Sequence, residues 1–396
     1  MCRSKRSTEI LRSSAGDSHL TATASSSTQF STSVPSSSSS TSTRTLPTLS
    51  FIKGSSSLIL YSYQEIRAAN GNFLSKPFSS SSSSTSWLCH LHDREVICFR
   101  RKLLRHGAME PSELRSRLSS LSLSHHSSLV RLLGASSSGS YVYLVYEYIR
   151  GGVNLANCLR NPKNPNYTVL STWISRMQVA TDVADGLDYI HSHSSGCKVH
   201  NHIKSSSIIV SSESLNGMIC HLGAAELCRE ADGDDGDILA GKKYDRTGDG
   251  NMKISGSRGY MAPELRDSGK ATKKSDVYAF GIVLLELLSG MESVRYEVEE
   301  GDKGYKSVSV AESGRKAMEI KGGLRRWMDR RLNDSYPVEV AEKMVILGLE
   351  CAGENPNERP DMSSVAGAVS KMFLDSKRWS EQFGMPSAFS VSMAPR

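Results

Sequence analysis

Apolar positions along the chain change their period from one part to the next. Val96-Ile97-Cys98-Phe99 and the stretch from Tyr141 to Tyr146 are short runs of β-branched and aromatic residues, which suit strands. Between them, Leu114, Leu118 and Leu121 fall at helical spacing within Glu113–Leu123. From Ser171 to His193, Trp173, Met177, Ala180, Val183, Leu187 and Ile190 recur every three or four residues. That spacing predicts an amphipathic helix of about six turns. Asp276–Leu288 is apolar almost all round and predicts a helix buried inside a helical lobe. A last helix is expected after Asp361, with Met362, Val365, Val369 and Met372 on one stripe. Strands first and helices afterwards give an α+β fold, with a small sheet lobe and a larger helical lobe.

Two stretches break the pattern. Ser79–Ser84 is an unbroken serine run between candidate strands and is expected to be a flexible loop, and Arg229–Met252 is rich in Gly and Asp without periodicity and is expected to be a long mobile loop. Ser and Thr fill 26 of the first 50 positions, so residues 1–56 cannot bury enough apolar surface to offset ordering and are expected to be disordered. The folded domain is expected over 57–376, divided into lobes at about 148/149, with a C-terminal tail over 377–396.

Composition narrows the class without naming it. A net charge of +7 spread over 396 residues is too diffuse to suggest nucleic acid as a partner. The most apolar run, Gly281–Leu288, is short and contains Glu286, so no membrane helix is expected. The cysteines are scattered with no C-x-x-C pair, which suits reduced thiols in a cytoplasmic compartment. Cys2 beside Arg3, Lys5 and Arg6 offers a peripheral contact with an anionic membrane face, against the plainer reading of an ordinary initiator segment.

Met261-Ala262-Pro263-Glu264 follows Gly259-Tyr260, Ser275-Asp276-Val277-Tyr278-Ala279-Phe280-Gly281 begins twelve residues after Pro263, and Glu358-Arg359-Pro360 lies near the end. Upstream stand Tyr61-Ser62-Tyr63-Gln64-Glu65-Ile66, His125-His126, Leu129-Val130-Arg131-Leu132-Leu133-Gly134 and Leu144-Val145-Tyr146-Glu147-Tyr148. This ordered set, over about residues 58–376, resembles the protein kinase domain of plant receptor-like kinases (RLK/Pelle type). The resemblance implies a two-lobed kinase-like fold.

The residues that the resemblance assigns to chemistry are replaced. Phosphoryl transfer needs phosphates and metal ions held in place and developing charge neutralised. Where a glycine-rich loop should cover the phosphates, Phe78 is followed by serines. Phe99 stands at the position of the strand lysine, with Arg100 and Arg101 next, and Ile97 stands where a small alanine leaves room for adenine. Arg117 stands at the position of that lysine's glutamate partner, with Glu113 one turn earlier. In His200-Asn201-His202-Ile203-Lys204-Ser205-Ser206-Ser207, His202 replaces the catalytic aspartate and Ser207 the metal-binding asparagine, while Lys204 is retained. His221, in His221-Leu222-Gly223, replaces the aspartate that grips magnesium, an ion that prefers oxygen ligands.

Residues that hold the kinase shape remain. The resemblance implies a buried ion pair between Glu264 and Arg359, an Asp276 that anchors the catalytic-loop backbone, and packing roles for Leu121, His200 and Leu222. Ile97, Tyr146 and Glu147 would mark a vestigial nucleotide cleft. His200, His202 and His221 are expected close together on its floor, filling vacated space more readily than holding a metal. The implied function is that of a pseudokinase that binds or regulates active receptor-like or cytoplasmic kinases, at the cytoplasmic face of the plasma membrane. It would need no metal and no cofactor, and would hold ATP weakly if at all. The alternative is an atypical Ser/Thr kinase using Arg100 or Arg101 for phosphate and a histidine as base. Ser257 is a candidate phosphosite, Lys204 is expected as a surface or loop lysine, and the cluster Asp232, Asp234, Asp235 and Asp237 reads as solvated loop.

Overall fold

The computed structural model describes residues 58–81, 84–103, 108–194, 196–230, 259–298 and 305–383. The serine-rich tail, Cys2, Ser257 and the acidic cluster at 232–237 lie outside them.

In the first lobe, β1 (Ile59–Leu60), α1 (Tyr63–Ala69), β2 (Ser79–Ser80), β3 (Ser84–Leu91), β4 (Arg94–Lys102), α2 (Pro111–Leu121), β5 (Leu132–Ser138) and β6 (Tyr141–Glu147) follow in order. The strands form one sheet in the order β1-β5-β6-β4-β3-β2, parallel only between β1 and β5. Helix α1 begins at a capping box, in which Ser62 accepts from the Glu65 amide and the Glu65 carboxylate accepts from the Ser62 amide. The serine run corrects the expectation of a loop. Ser79 and Ser80 pair with Ser86 and Thr85, so these residues extend the sheet as a hairpin. Serine has no strong strand preference, and cross-strand pairing with β3 supplies the order that local sequence does not.

In the second lobe, β7 (Val153–Asn154), α3 (Leu155–Leu159), α4 (Trp173–Asp188), β8 (Ile208–Val210), β9 (Gly217–Ile219), α5 (Ala224–Leu227), α6 (Pro263–Ser268) and α7 (Lys273–Ser289) come first. A hairpin of β10 (Val294–Val298) and β11 (Tyr305–Ser309) leads to α8 (Val310–Glu319), α9 (Gly323–Trp327), α10 (Val338–Cys351) and α11 (Met362–Gln382). Helix α4 continues as a π-helical turn over Tyr189–His193. Helix α7 is buried along nearly its whole length, as its sequence predicts. Its crossing with α10 requires glycine: a Cβ on Gly281 would lie 2.7 Å from both the Cys351 Cβ and the Gly348 carbonyl oxygen. The buried Glu286 carboxylate within α7 accepts from the Tyr260 hydroxyl at 2.7 Å and pairs with Arg160 at 3.0 Å. Helix α11 runs past the boundary expected at residue 376, because Ser376 and Ser380 remain buried and the Trp173 indole donates to Ser376 Oγ at 2.8 Å. No helix among the described residues is long and apolar enough to cross a membrane.

Candidate functional site

Strand β4 sets the roof of the cleft between the lobes. Alternation along the strand puts Ile97, Phe99 and Arg101 on one face and Cys98 and Arg100 on the other. Arg100 therefore leaves the cleft, and its guanidinium stacks between the rings of Trp87 and Tyr141 at 5.2 and 5.3 Å. Phe99 meets His221 edge to face at 4.6 Å between centroids and Tyr146 at 5.8 Å. Tyr146 is buried, lies opposite Ile97 in the β4–β6 register, and donates its hydroxyl to the Leu222 carbonyl at 2.9 Å. Glu147, the next residue, donates its amide to the Arg131 carbonyl at 3.0 Å.

The floor of the cleft is built on Asp276 at the start of α7. Its carboxylate accepts from the backbone amides of His200 at 2.6 Å and Asn201 at 2.8 Å, and meets His191 Nε2 at 3.1 Å. Burial pushes Asp276 up, but these partners outweigh it and hold its carboxyl below the usual range. The anchored loop carries His200, whose Nε2 lies 2.7 Å from the Cys220 carbonyl, and His202, whose ring centroid lies 6.2 Å from those of both His200 and His221. The three histidines are thus brought together as the sequence predicts. Ser207 is buried next to them, and its hydroxyl has no hydrogen-bond partner among the described residues. Among those residues, no group of three or more His, Cys, Asp or Glu side chains is arranged to hold a metal ion.

Arg101 reaches down from β4 into this floor. Its Nη1 lies 2.7 Å from His202 Nε2 and 3.5 Å from Glu230 Oε1. Glu230 Oε2 in turn lies 2.8 Å from His202 Nε2 and accepts from the Asn201 side-chain Nδ2 at 3.0 Å. Burial pushes Glu230 up, but His202 and Arg101 more than reverse it, and its carboxyl is held at about 2. Burial and the Arg101 charge push His202 and His221 down, and burial takes His200 down to about 4. Lys204 is half-buried, and burial followed by Arg101 lowers its ammonium.

Helix α2 is tied to the residues that follow His221. Gly223 has φ +75, and a Cβ there would lie 2.6 Å from Leu121 Cδ1, so glycine allows the short helix α5 to pack against α2. Arg117 donates to the Glu226 carbonyl at 2.7 Å and pairs with Glu113 at 3.1 Å, while Glu113 also takes a two-pronged hold on Arg229. Lower in the molecule, Arg359 grips Glu264 through two bonds of 2.6 and 2.7 Å and donates to the carbonyls of Gly353, Lys274 and Glu354.

Sequence reasoning missed Glu230, Arg229 and Glu226. Arg229 and Glu230 open the Gly/Asp-rich stretch, and nothing local separates them from it. Their counter-charges, Arg101 and Glu113, lie more than a hundred positions away.

The sequence profile described as protein tyrosine and serine/threonine kinase matches residues 91–369. LysM domain receptor-like kinase 3 of Arabidopsis thaliana is 32% identical over 332 residues, covering 81% of this chain and 47% of that protein. Chitin elicitor receptor kinase 1 of Arabidopsis thaliana is 34% identical over 255 residues, 64% of this chain and 37% of that protein. The chain therefore spans about half the length of these relatives, or less. Among solved structures, the pseudokinase domain of BIR2, an immune regulator of the RLK/Pelle family, superposes with a TM-score of 0.58 at 24% identity, over 83% of this chain and 91% of that one. That likeness carries the fold. The chain belongs to the protein tyrosine and serine/threonine kinase family, with plant receptor-like kinases among its relatives.

Proposed function

We propose that this chain is a pseudokinase: a kinase-like signalling protein that transfers no phosphate and acts by binding and regulating active receptor-like kinases. The observation that carries the reading is the contact of Phe99 with His221 at 4.6 Å, where a lysine and a metal-binding aspartate would face the phosphates in an active kinase. The residues beside them are committed to one another. Arg101 is engaged by Glu230 and His202, and Arg100 is stacked on the opposite face of its strand. The turned-away Arg100 weighs against an atypical kinase that uses it for the phosphates of ATP, and Arg101 already holds the Glu230 carboxylate. The packing residues, by contrast, are kept and satisfied. The protein would bias a partner's conformation only through differential affinity for its two states. Placement at the cytoplasmic face of the plasma membrane follows from the same reading.

The test is a thermal-shift titration of the full chain with ATP, with and without Mg²⁺ or Mn²⁺. A ligand at 100 times its dissociation constant adds about 2.7 kcal/mol, which such a titration resolves. The reading predicts no metal-dependent shift, and capture of the chain by the kinase domain of an active receptor-like kinase. A shift that requires the metal would reverse it in favour of the atypical enzyme.

A further inference from the structure

The roof of the cleft carries a second relationship that the degenerate kinase motifs do not explain. Arg101 is only 5% exposed, and its Nε has no hydrogen-bond partner among the described residues, although its Nη1 is engaged. A buried guanidinium nitrogen without an acceptor is costly, and here it leaves one prong of a planar fork unused. Directly across the sheet from Arg101, in register, stands Ser84. Strand alternation places Ser84, Ser86, Phe99 and Arg101 on the cleft face and Thr85 and Arg100 on the other. Side chains directly opposite each other in a sheet are about 4.5–5.5 Å apart at Cβ, a gap that a phosphate ester spans. Ser84 is partly exposed at the start of β3, and its hydroxyl lies 3.2 Å from that of the exposed Ser81. On this side of the cleft burial, followed by the Arg101 charge, lowers Lys204, His202 and His221, and the Glu230 carboxylate lies 3.5 Å from Arg101 Nη1.

We propose that Ser84 is a phosphorylation site, and that its phosphate docks on the Arg101 guanidinium through the unused Nε. In the transfer, the Ser84 hydroxyl oxygen attacks the γ-phosphorus of ATP bound to a Ser/Thr kinase. The bond to the β–γ bridging oxygen breaks, ADP leaves, and the serine proton passes to that kinase's base. That the phosphate arrives from another kinase rests on the pseudokinase reading; the docking does not. The phosphate enters as a second anion on a guanidinium already shared with Glu230 and His202. Modification of the hairpin is thereby coupled to the segment that follows His221.

Two arms test this on the full chain. In the first, phosphoserine is installed genetically at position 84 and, as a control on the opposite strand face, at Ser80, and each is titrated by phosphorus NMR. An exposed phosphoserine has a second pKa of about 6. Pairing with the guanidinium should lower it by about 1 unit at position 84 and leave position 80 unshifted. Arg101→Lys, which keeps a charge in the same place but loses Nε, should remove most of the shift; Arg101→Gln should remove all of it. Identical titrations at 84 and 80, or a shift at 84 that survives Arg101→Gln in a folded protein, would overturn the docking. In the second arm, the unmodified chain is incubated with Mg²⁺ and ATP, with and without the kinase domain of an active receptor-like kinase, and mapped by mass spectrometry. Phosphate at Ser84 only when the second kinase is present is the expected result. Phosphate on other serines but never on Ser84 overturns the site. Phosphate at Ser84 without a second kinase supports the site and overturns the pseudokinase reading instead, so the two failures are told apart.

Discussion

Phe99 and His221 pack edge to face, 4.6 Å between ring centroids, with Tyr146 closing the third side at 5.8 and 6.0 Å. Two residues from different lobes thus meet in one aromatic contact. Such pairs contribute about 0.5–1.5 kcal/mol beyond their buried area, so the contact adds cohesion where the lobes face each other.

Restoring one lost group should therefore restore nothing. Phe99→Lys would set a third cation beside Arg101 and Lys204 without the glutamate that should receive it, since Arg117 occupies that position and Glu113 is held by Arg229. Phe99→Lys, His202→Asp and His221→Asp, made singly, are expected to leave phosphate transfer at background, with a lowered melting temperature for the first. A single substitution that switched on magnesium-dependent transfer would contradict this.

Glu230 is expected to be a stability residue that sequence inspection overlooks. Its removal leaves the Arg101 guanidinium buried without its carboxylate, a loss of about 3–5 kcal/mol for pairs of this kind. Urea unfolding of Glu230→Ala measures this. A change below about 1 kcal/mol would mean that Arg101 finds another anion or reaches water.

Arg359→Ala should be more damaging than Glu264→Ala. The arginine is fully buried and serves three carbonyls as well as the carboxylate. Glu264→Ala is expected to cost about 3–5 kcal/mol, and Arg359→Ala more, because those carbonyls also lose a donor. Equal midpoint shifts for the two variants would show that only the ion pair matters.

Acid should destabilise the protein well above the carboxylate range. Burial lowers His200 from 6.5 to about 4 and pushes His202 and His221 down as well. Above 6.5 the neutral ring is present in both folded and unfolded chains, so the contribution is complete. Between 6.5 and 4 only the unfolded chain takes up the proton, and His200 alone forfeits about 3 kcal/mol. Glu226 works the other way. Burial raises its carboxyl from 4.5 to about 7, so its contribution is full below 4.5 and is lost as pH rises toward 7. Urea midpoints from pH 7 to 4 should fall in the wild type and fall more steeply in Glu226→Gln. A shallower slope in the variant would reverse the assignment of Glu226.

The fold was legible because its signals are either local or short motifs in a fixed order. The stripe on α4, the apolar run of α7 and the Pro263-Glu264 and Asp276 motifs each carry their own reading, and the substitutions at Phe99, His202 and His221 are visible as letters. The filling of the cleft was not legible. Alternation from Phe99 already turns Arg100 away unless the strand slips by one residue, and only the pairing with the neighbouring strands excludes the slip. Glu230 and Arg229 find their partners through tertiary contact, and the serine hairpin is ordered by pairing with β3 rather than by its own preference.

The most direct test of the central claim is phosphate transfer from γ-labelled ATP by the purified full chain, measured with Mg²⁺ and with Mn²⁺ beside the Lys204→Ala variant. The account predicts the same background label in both proteins. Labelling by the wild type that disappears in Lys204→Ala would show that the degenerate cleft still runs the reaction.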